Sequence, residues 1–456
     1  MGWLRRLLEG SRNKVVILDD DPTGTQTVSG VDIVTRWSTG LLAEMFRSPE
    51  RAFFILTNSR SLPEPEARAL TREILERVCE ASQIAGRPFT LVSRSDSTLR
   101  GHYPAELDEA EAVLKERLGK ELWGRVLFPA FIEGGRVTFD DIHWAEVGGR
   151  LVPVGETEFA ADPALGYTSS NLRDWVVEKS RGTARPEQVV SLPLEVTREQ
   201  GPSGLLEIIL AAPRGVTFIP NAVTYDDIRF VTIAFLEAEA RGREYLYRTA
   251  ASFVPVYAGV ELRPPLSPEE LGSYVWPHAE AGGLVVVGSH VGKTTAQLEA
   301  LLALPGTTGI ELSVPAVLDE ATRQGEITRV VQEMHRELQR GQDVVVYTSR
   351  SVLREVASLD YLEIGKRVAA ALVEIVRSLA VVPRFIIGKG GITSSVLATD
   401  ALECTRARVL GQVAPGVPIW QLDDGSRLPR GLFVVFPGNV GSPRTLADTV
   451  MLMRRT

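Results

Sequence analysis

Four short apolar runs, Val15-Val16-Ile17-Leu18, Phe53-Phe54-Ile55-Leu56, Phe89-Thr90-Leu91-Val92 and Arg125-Val126-Leu127-Phe128, recur early in the chain with helical stretches between them. Runs this short and unbroken read as strands buried on both faces. Between the second and third, Ala67, Leu70, Ile74, Leu75 and Val78 fall on one face of a helix. Pro104 ahead of Ala105-Glu106-Leu107 opens another, since proline is tolerated in a first helical turn. Strands alternating with helices predict a parallel sheet covered on both faces, an α/β architecture.

The rhythm breaks from about residue 140 to 202, where Gly, Pro and polar residues increase. This stretch is expected to be a long excursion with some helix near 170–180. Regular alternation returns with Val216-Thr217-Phe218-Ile219-Pro220 and a helix over 230–240. Arg263-Pro264-Pro265-Leu266-Ser267-Pro268 is the best linker candidate, because clustered prolines disfavour regular structure. Beyond it, apolar runs at 284–287, 343–347, 384–387 and 431–436 begin a second α/β series. A chain of 456 residues is also too long for one core. The expectation is therefore two α/β domains, 1–262 and 281–456, joined by a linker at 263–280. Each carries a mainly parallel sheet flanked by helices.

Composition narrows the function classes. The net charge of −8, without a long basic run, argues against a nucleic-acid partner. The tryptophans are scattered and suggest no stacking platform for bases. No apolar run approaches the ~20 residues needed to cross a bilayer, and the start of the chain does not read as a signal peptide. The two cysteines, Cys79 and Cys404, form neither a disulfide framework nor a zinc spacing. A reduced, cytoplasmic protein is expected.

Polar residues gather where strands end. The first strand exits into Asp19-Asp20-Asp21-Pro22-Thr23-Gly24-Thr25. Asp21-Pro22-Thr23-Gly24 suits a type I turn, but a turn does not explain Asp19 and Asp20 at the exit of an apolar strand. Adjacent carboxylates repel there, which favours a site that holds a cation or accepts a proton. Thr57-Asn58-Ser59-Arg60-Ser61 follows the second strand, and Ser93-Arg94-Ser95-Asp96-Ser97-Thr98-Leu99-Arg100-Gly101-His102 the third. Arg60, Arg94 and Arg100 are suited to clamp a carboxylate, and Asn58 and the hydroxyls to read sugar hydroxyls. Of the five histidines, only His102 is placed near a site; none shows metal-ligand spacing. Metal ligands are not assigned.

In the second half, Gly288-Ser289-His290-Val291-Gly292-Lys293-Thr294 is one residue short of a P-loop, and that reading is rejected. Gly388-Lys389-Gly390-Gly391-Ile392-Thr393 is the better phosphate candidate, with Phe436-Pro437-Gly438-Asn439 a second glycine turn. Glycines let backbone N–H groups approach phosphate. A plain turn with a hydroxyl cap explains part of the first pattern as well.

Taken in order, the Asp-Asp-Asp-Pro-Thr-Gly-Thr-Gln start, the 93–101 stretch, Gly134-Gly135-Arg136, Gly288-Ser289-His290, Lys389-Gly390-Gly391-Ile392-Thr393 and Phe436-Pro437-Gly438-Asn439 resemble the four-carbon acid sugar kinase family. The likeness runs from about residue 15 to 448. It implies an N-terminal domain binding the sugar acid, a C-terminal domain binding ATP, a site in the cleft between them, and magnesium. Members similar to this chain phosphorylate threonate, erythronate or 3-oxo-tetronate at the terminal hydroxyl. The resemblance places Ser289, Gly390, Gly391, Ile392, Thr393 and Gly438 at ATP. It places Asp20, Asp21, Arg60, Arg94 and Asp96 around the sugar acid; the strand-end reading adds Asp19, Asn58 and Arg100 as substrate-binding residues and takes Asp20 and Asp21 as catalytic, with Asp20 favoured as base. Some members carry an acidic residue where Ile392 stands, so this chain belongs to a different branch. Expected partners are the sugar acid and ATP, with no nucleic acid and no membrane, and a homodimer as the ordinary assembly. A ligase forming an acyl phosphate and a non-catalytic sugar-acid sensor are the competing readings.

Overall fold

The computed structural model of the chain describes residues 2–274, 281–288, 292–349, 361–438 and 440–455. The chain folds as two units, Met1–Leu262 and Arg263–Thr456.

The first unit carries eleven strands: β1 (Lys14–Asp19), β2 (Val31–Val34), β3 (Ala52–Leu56), β4 (Phe89–Arg94), β5 (Gly124–Phe128), β6 (Arg136–Phe139), β7 (Ile142–Val147), β8 (Arg150–Pro153), β9 (Val189–Leu192), β10 (Val216–Pro220) and β11 (Tyr245–Thr249). Eight of them lie in the order β2-β3-β1-β4-β11-β5-β10-β9. All these neighbours pair in parallel. Burial on both faces is why they read as apolar runs: Val15, Val16, Ile17, Phe53, Phe54 and Ile55 are all at most 1% exposed. β1 is flanked by β3 on one side and β4 on the other, so the chain reverses its winding direction about β1. A crevice opens at the carboxyl ends of the strands at such a point.

The flanking helices follow their sequence signals. Glu64–Ala85 has Glu64 and Glu66 in its first turn and stops at Gly86, whose φ of +64° suits glycine. It packs Ile74, Leu75 and Val78 into the same core as Phe46, Phe53 and Phe89. Burying each of these side chains contributes roughly 1.5–3 kcal/mol. The excursion expected at 140–202 begins slightly earlier. β6, β7 and β8 form a separate antiparallel sheet, the helix Leu172–Lys179 follows, and β9 returns to the edge of the main sheet. Trp175 of that helix is fully buried against Tyr103, their ring centroids 4.7 Å apart.

The second unit has β12 (Leu284–Val287), β13 (Thr307–Leu312), β14 (Asp343–Thr348), β15 (Ile386–Lys389), β16 (Arg406–Ala414), β17 (Val417–Leu422) and β18 (Leu432–Phe436), ordered β13-β14-β12-β15-β18-β17-β16. The first five are parallel; β17 and β16 are antiparallel to their neighbours. The mainly parallel α/β reading therefore holds, with a hairpin added that the strand pattern did not show. Its signal was Pro415-Gly416, where Ala414 pairs with Val417 and Gly416 takes φ +75°.

The expected linker is corrected in one respect. Ser267 and Glu270 form a capping box, with Pro268 at the first helical position, that starts the helix Pro268–Gly272. Leu266 and Leu271, at 7% and 0% exposure, belong to the second unit's core. The prolines end one segment but also begin a helix. Cys79 and Cys404 are both buried, and no helix among the described residues is long and apolar enough to cross a membrane.

Candidate active site

In the first unit the carboxyl ends of β1, β3 and β4 bring together a dense charge cluster. Asp20 follows β1 and accepts two hydrogen bonds from Arg60, from Nη2 to Oδ1 at 2.5 Å and from Nε to Oδ2 at 3.2 Å. The remaining Arg60 nitrogen, Nη1, lies 3.6 Å from Asp21 and 3.7 Å from Asp96. One guanidinium thus serves three carboxylates. Burial disfavours its charge, but those carboxylates hold Arg60 well above the ordinary arginine value. Asp96 in turn accepts from Arg100 Nε at 2.7 Å and from the Thr98 hydroxyl. Burial works against its ionisation, yet Arg100 and Arg60 keep its carboxyl far below the usual range. Asn58 adopts a left-handed conformation, φ +52°, and donates to Ser61 Oγ at 3.3 Å.

The turn at Asp21 forms as expected: its carboxylate accepts from the Thr23 N–H at 2.8 Å and the Thr23 hydroxyl at 2.6 Å, and Gly24 N–H donates to its carbonyl. Asp19 differs from the expectation. It is 0% exposed, and neither carboxylate oxygen has a hydrogen-bond partner. Arg94, 4% exposed, stands 3.6 Å away. Burial pushes the Asp19 carboxyl well above the carboxylate range despite Arg94. Asp19 and Arg94 are therefore a sealed pair beneath the cluster, not side chains presented to a ligand. The reason is Gly24, whose backbone lies directly over the Asp19 carboxylate.

In the second unit three adjacent parallel strands, β12, β15 and β18, end side by side at Val287, Lys389 and Phe436, with Gly288 following β12. Gly390 takes φ +113°, a conformation that glycine tolerates, and its N–H donates to Phe436 O at 2.8 Å. Gly391 starts the helix Gly391–Val396, in which Thr393 is buried and Ile392 is 59% exposed. A Cβ at Gly288 would lie 2.3 Å from Thr393 Oγ1. Gly438 O accepts from Thr294 Oγ1 at 3.2 Å. Gly390, Gly391, Ile392, Thr393 and Gly438 thus lie at one sheet end; Ser289 and Asn439 lie outside the described residues.

A profile described as a sugar-binding N-terminal domain matches residues 15–257, and one described as a nucleotide-binding C-terminal domain matches 284–446. The chain belongs to the four-carbon acid sugar kinase family. Among curated relatives of the family, a D-threonate kinase of Salmonella typhimurium is 25% identical over 458 residues, covering 96% of this chain and 97% of its own. A D-erythronate kinase of Heliobacterium modesticaldum is 27% identical over 432 residues, covering 88% and 89%. A solved Haemophilus influenzae chain of the DUF1537 family shares the fold, with a TM-score of 0.62 at 17% identity over 96% of this chain and 99% of that one.

Two charged residues beside the cluster escaped the sequence reading. Arg248, 3% exposed near the end of β11, donates to Arg100 O at 3.2 Å. A Cβ at Gly101 would come within 2.8 Å of Arg248 Nη2 and 3.5 Å of Asp20 Oδ2, so Gly101 leaves room for both groups. Glu106 is 8% exposed; burial first, and then Asp20, raise its carboxyl. Arg248 was visible as a charge at a strand end, the signal used for the other three strands.

His143, on β7, supports the 93–101 loop from below. Its Nε2 stands 2.8 Å from Ser97 O and its Nδ1 2.9 Å from Thr138 Oγ1. A carbonyl only accepts, so Nε2 carries the proton and Nδ1 accepts from the threonine. Burial lowers this imidazole to about 4. A histidine whose folded value is depressed contributes stability above its unfolded value near 6.5, lost as pH falls towards 4. About 3 kcal/mol is at stake across that window. His143→Gln should flatten the difference in denaturant midpoint between pH 7 and pH 4.5 relative to wild type. Parallel pH dependence in the two proteins would refute this.

Proposed function

We propose that this family member is an ATP-dependent phosphotransferase that phosphorylates the terminal hydroxyl of a four-carbon sugar acid, giving the 4-phosphate. The observation that carries the reading is that relatives named as D-threonate and D-erythronate kinases match over 96% and 88% of the chain. Threonate, erythronate and 3-oxo-tetronate are the candidate acceptors.

In this reading Arg100 binds the carboxylate end of the acid, Arg60 holds Asp20 in place, and Asn58 and Asp21 read the hydroxyls. Arginine suits both tasks because its planar fork matches a carboxylate bidentately. Asp20 orients and deprotonates the attacking hydroxyl. Its two hydrogen bonds from Arg60 hold it in one rotamer, and positioning is most of what phosphoryl transfer asks of a protein. ATP supplies the transferred phosphoryl group when bound, and Gly390, Gly391, Ile392, Thr393 and Gly438 are the residues that would hold it. The glycine turns fit such a ligand: Gly390, at φ +113°, and Gly391, at a helix start, carry no side chain to hold a phosphate away from the backbone. Mg²⁺ fits less directly. Among the described residues no three His, Cys, Asp or Glu side chains form a metal-holding group. A magnesium ion would then rest chiefly on the nucleotide's own oxygens, as is usual for this ion.

The test is ADP release with Mg²⁺ and ATP against isomers of threonate, erythronate and 3-oxo-tetronate. Release with one isomer, and a product that resists hydroxylamine, is the expected result. A hydroxylamine-trappable product would mean an acyl phosphate and a ligase. Acid binding without ADP release would mean a sensor.

A further inference from the structure

Lys389, the last residue of β15, is fully buried, with an exposure of 0%. Its Nζ donates to Pro437 O at 2.5 Å and Gly438 O at 3.2 Å, and sits 4.5 Å from the centroid of the Phe436 ring. Among the described residues no carboxylate pairs with it; its partners are two carbonyls and an aromatic face. The elements around it offer no counter-charge either. β12, β18 and the helix Gly391–Val396 contain no charged residue, and neither do Pro437, Gly438, Val440 or Gly441. The helix Gly292–Leu302 contributes Lys293, which is another cation, and Glu299, which is exposed two turns along.

A buried ammonium without an anion is costly, and buried charges are ordinarily paired. Burial foremost, with Lys293 adding to it, lowers Lys389 to about 7. Near neutral pH the nucleotide-free protein therefore holds this lysine only partly charged.

We infer that Lys389 is a buried electrostatic anchor whose missing counter-ion is the phosphate of a nucleotide bound at the two glycine turns. Lys389 does not touch the ligand, since its nitrogen is sealed. It acts through its charge and by fixing the Pro437-Gly438 carbonyls, which makes it a positioning residue. Its charge becomes favourable once a polyanion lies close by in a medium of low dielectric constant. Nucleotide binding should then draw one proton from solvent onto Nζ. This inference rests on the nucleotide site proposed for the second unit.

The experiment is calorimetric titration of the full-length protein with ADP at pH 8, in buffers of differing ionisation enthalpy. At this pH the phosphates of ADP are already ionised, so uptake reports the protein. The expected result is close to one proton taken up per ADP by wild type. Lys389→Met should lose that uptake and weaken ADP binding at least tenfold. ADP binding by wild type without proton uptake overturns the inference while leaving the nucleotide site standing. No ADP binding by wild type overturns both. If Lys389→Met fails to fold, the wild-type proton count alone decides.

Discussion

Asp20→Asn is expected to lower turnover by about 10²–10⁴-fold, the usual contribution of a positioned acid or base, while ADP affinity stays within twofold of wild type. The substitution keeps the shape of the side chain and removes its charge and basicity. Asp20 is 4% exposed and takes two hydrogen bonds from Arg60, so the variant also disturbs a buried ion pair. Removing one partner of such a pair often costs about 3–5 kcal/mol. Here the loss should be smaller, because Asp21 at 3.6 Å and Asp96 at 3.7 Å still face the Arg60 guanidinium. A melting curve separates the two effects: a folded variant with collapsed turnover supports Asp20 as the reacting group. Turnover within a few-fold of wild type would remove Asp20 from that role and turn attention to Glu106, the buried carboxyl beside it.

Arg60 explains why this cluster was legible in the amino-acid sequence. Parallel strands buried on both faces must be apolar until they end, so the first polar residues after each run mark the sheet edge. Asp20, Arg60 and Asp96 announced themselves in this way on three separate segments, and their convergence follows from β3, β1 and β4 being neighbours. Arg248 obeys the same logic, but β11 is half aromatic and polar, Tyr-Leu-Tyr-Arg-Thr, and does not stand out as an apolar run. The 136–153 hairpins lacked a core-facing pattern because only part of each strand is buried, Ile142–Val147 alternating and then open. The segment after Leu262 misled for another reason. Proline density reads as a break, yet proline at a first helical position is a starting signal, and Ser267-Pro268-Glu269-Glu270 spells one.

What the sequence hid altogether is the difference between Asp19 and Asp20. Three aspartates in a row look equivalent, and only a close backbone approach separates them. An ideal Cβ on Gly24 would lie 2.0 Å from both Asp19 carboxylate oxygens. Those atoms cannot retreat, since Asp19 is fully buried and its backbone is tied into β1 and to Thr57 N–H. Gly24 is therefore the residue that seals Asp19 and lets Asp20 and Asp21 lead the loop into the cluster.

Gly24→Ala is accordingly expected to cost about 3 kcal/mol, the upper part of the range for overpacking. It should also cut turnover sharply, because the Pro22–Thr25 turn must lift away from β1 and carry Asp21 with it. Gly40→Ala is the control. A Cβ there meets nothing within 4 Å, and the position lies within the helix Thr39–Arg47, so stability should hold or rise by up to ~1 kcal/mol. The decisive variant is the double one, Asp19→Ala with Gly24→Ala. If the damage is steric overlap with the carboxylate, removing that carboxylate should restore a large share of the lost stability, a coupling of about 1 kcal/mol or more between contacting sites. Additive losses in urea denaturation would show instead that Gly24 is needed for its own backbone, and that Asp19 is sealed by something other than this contact.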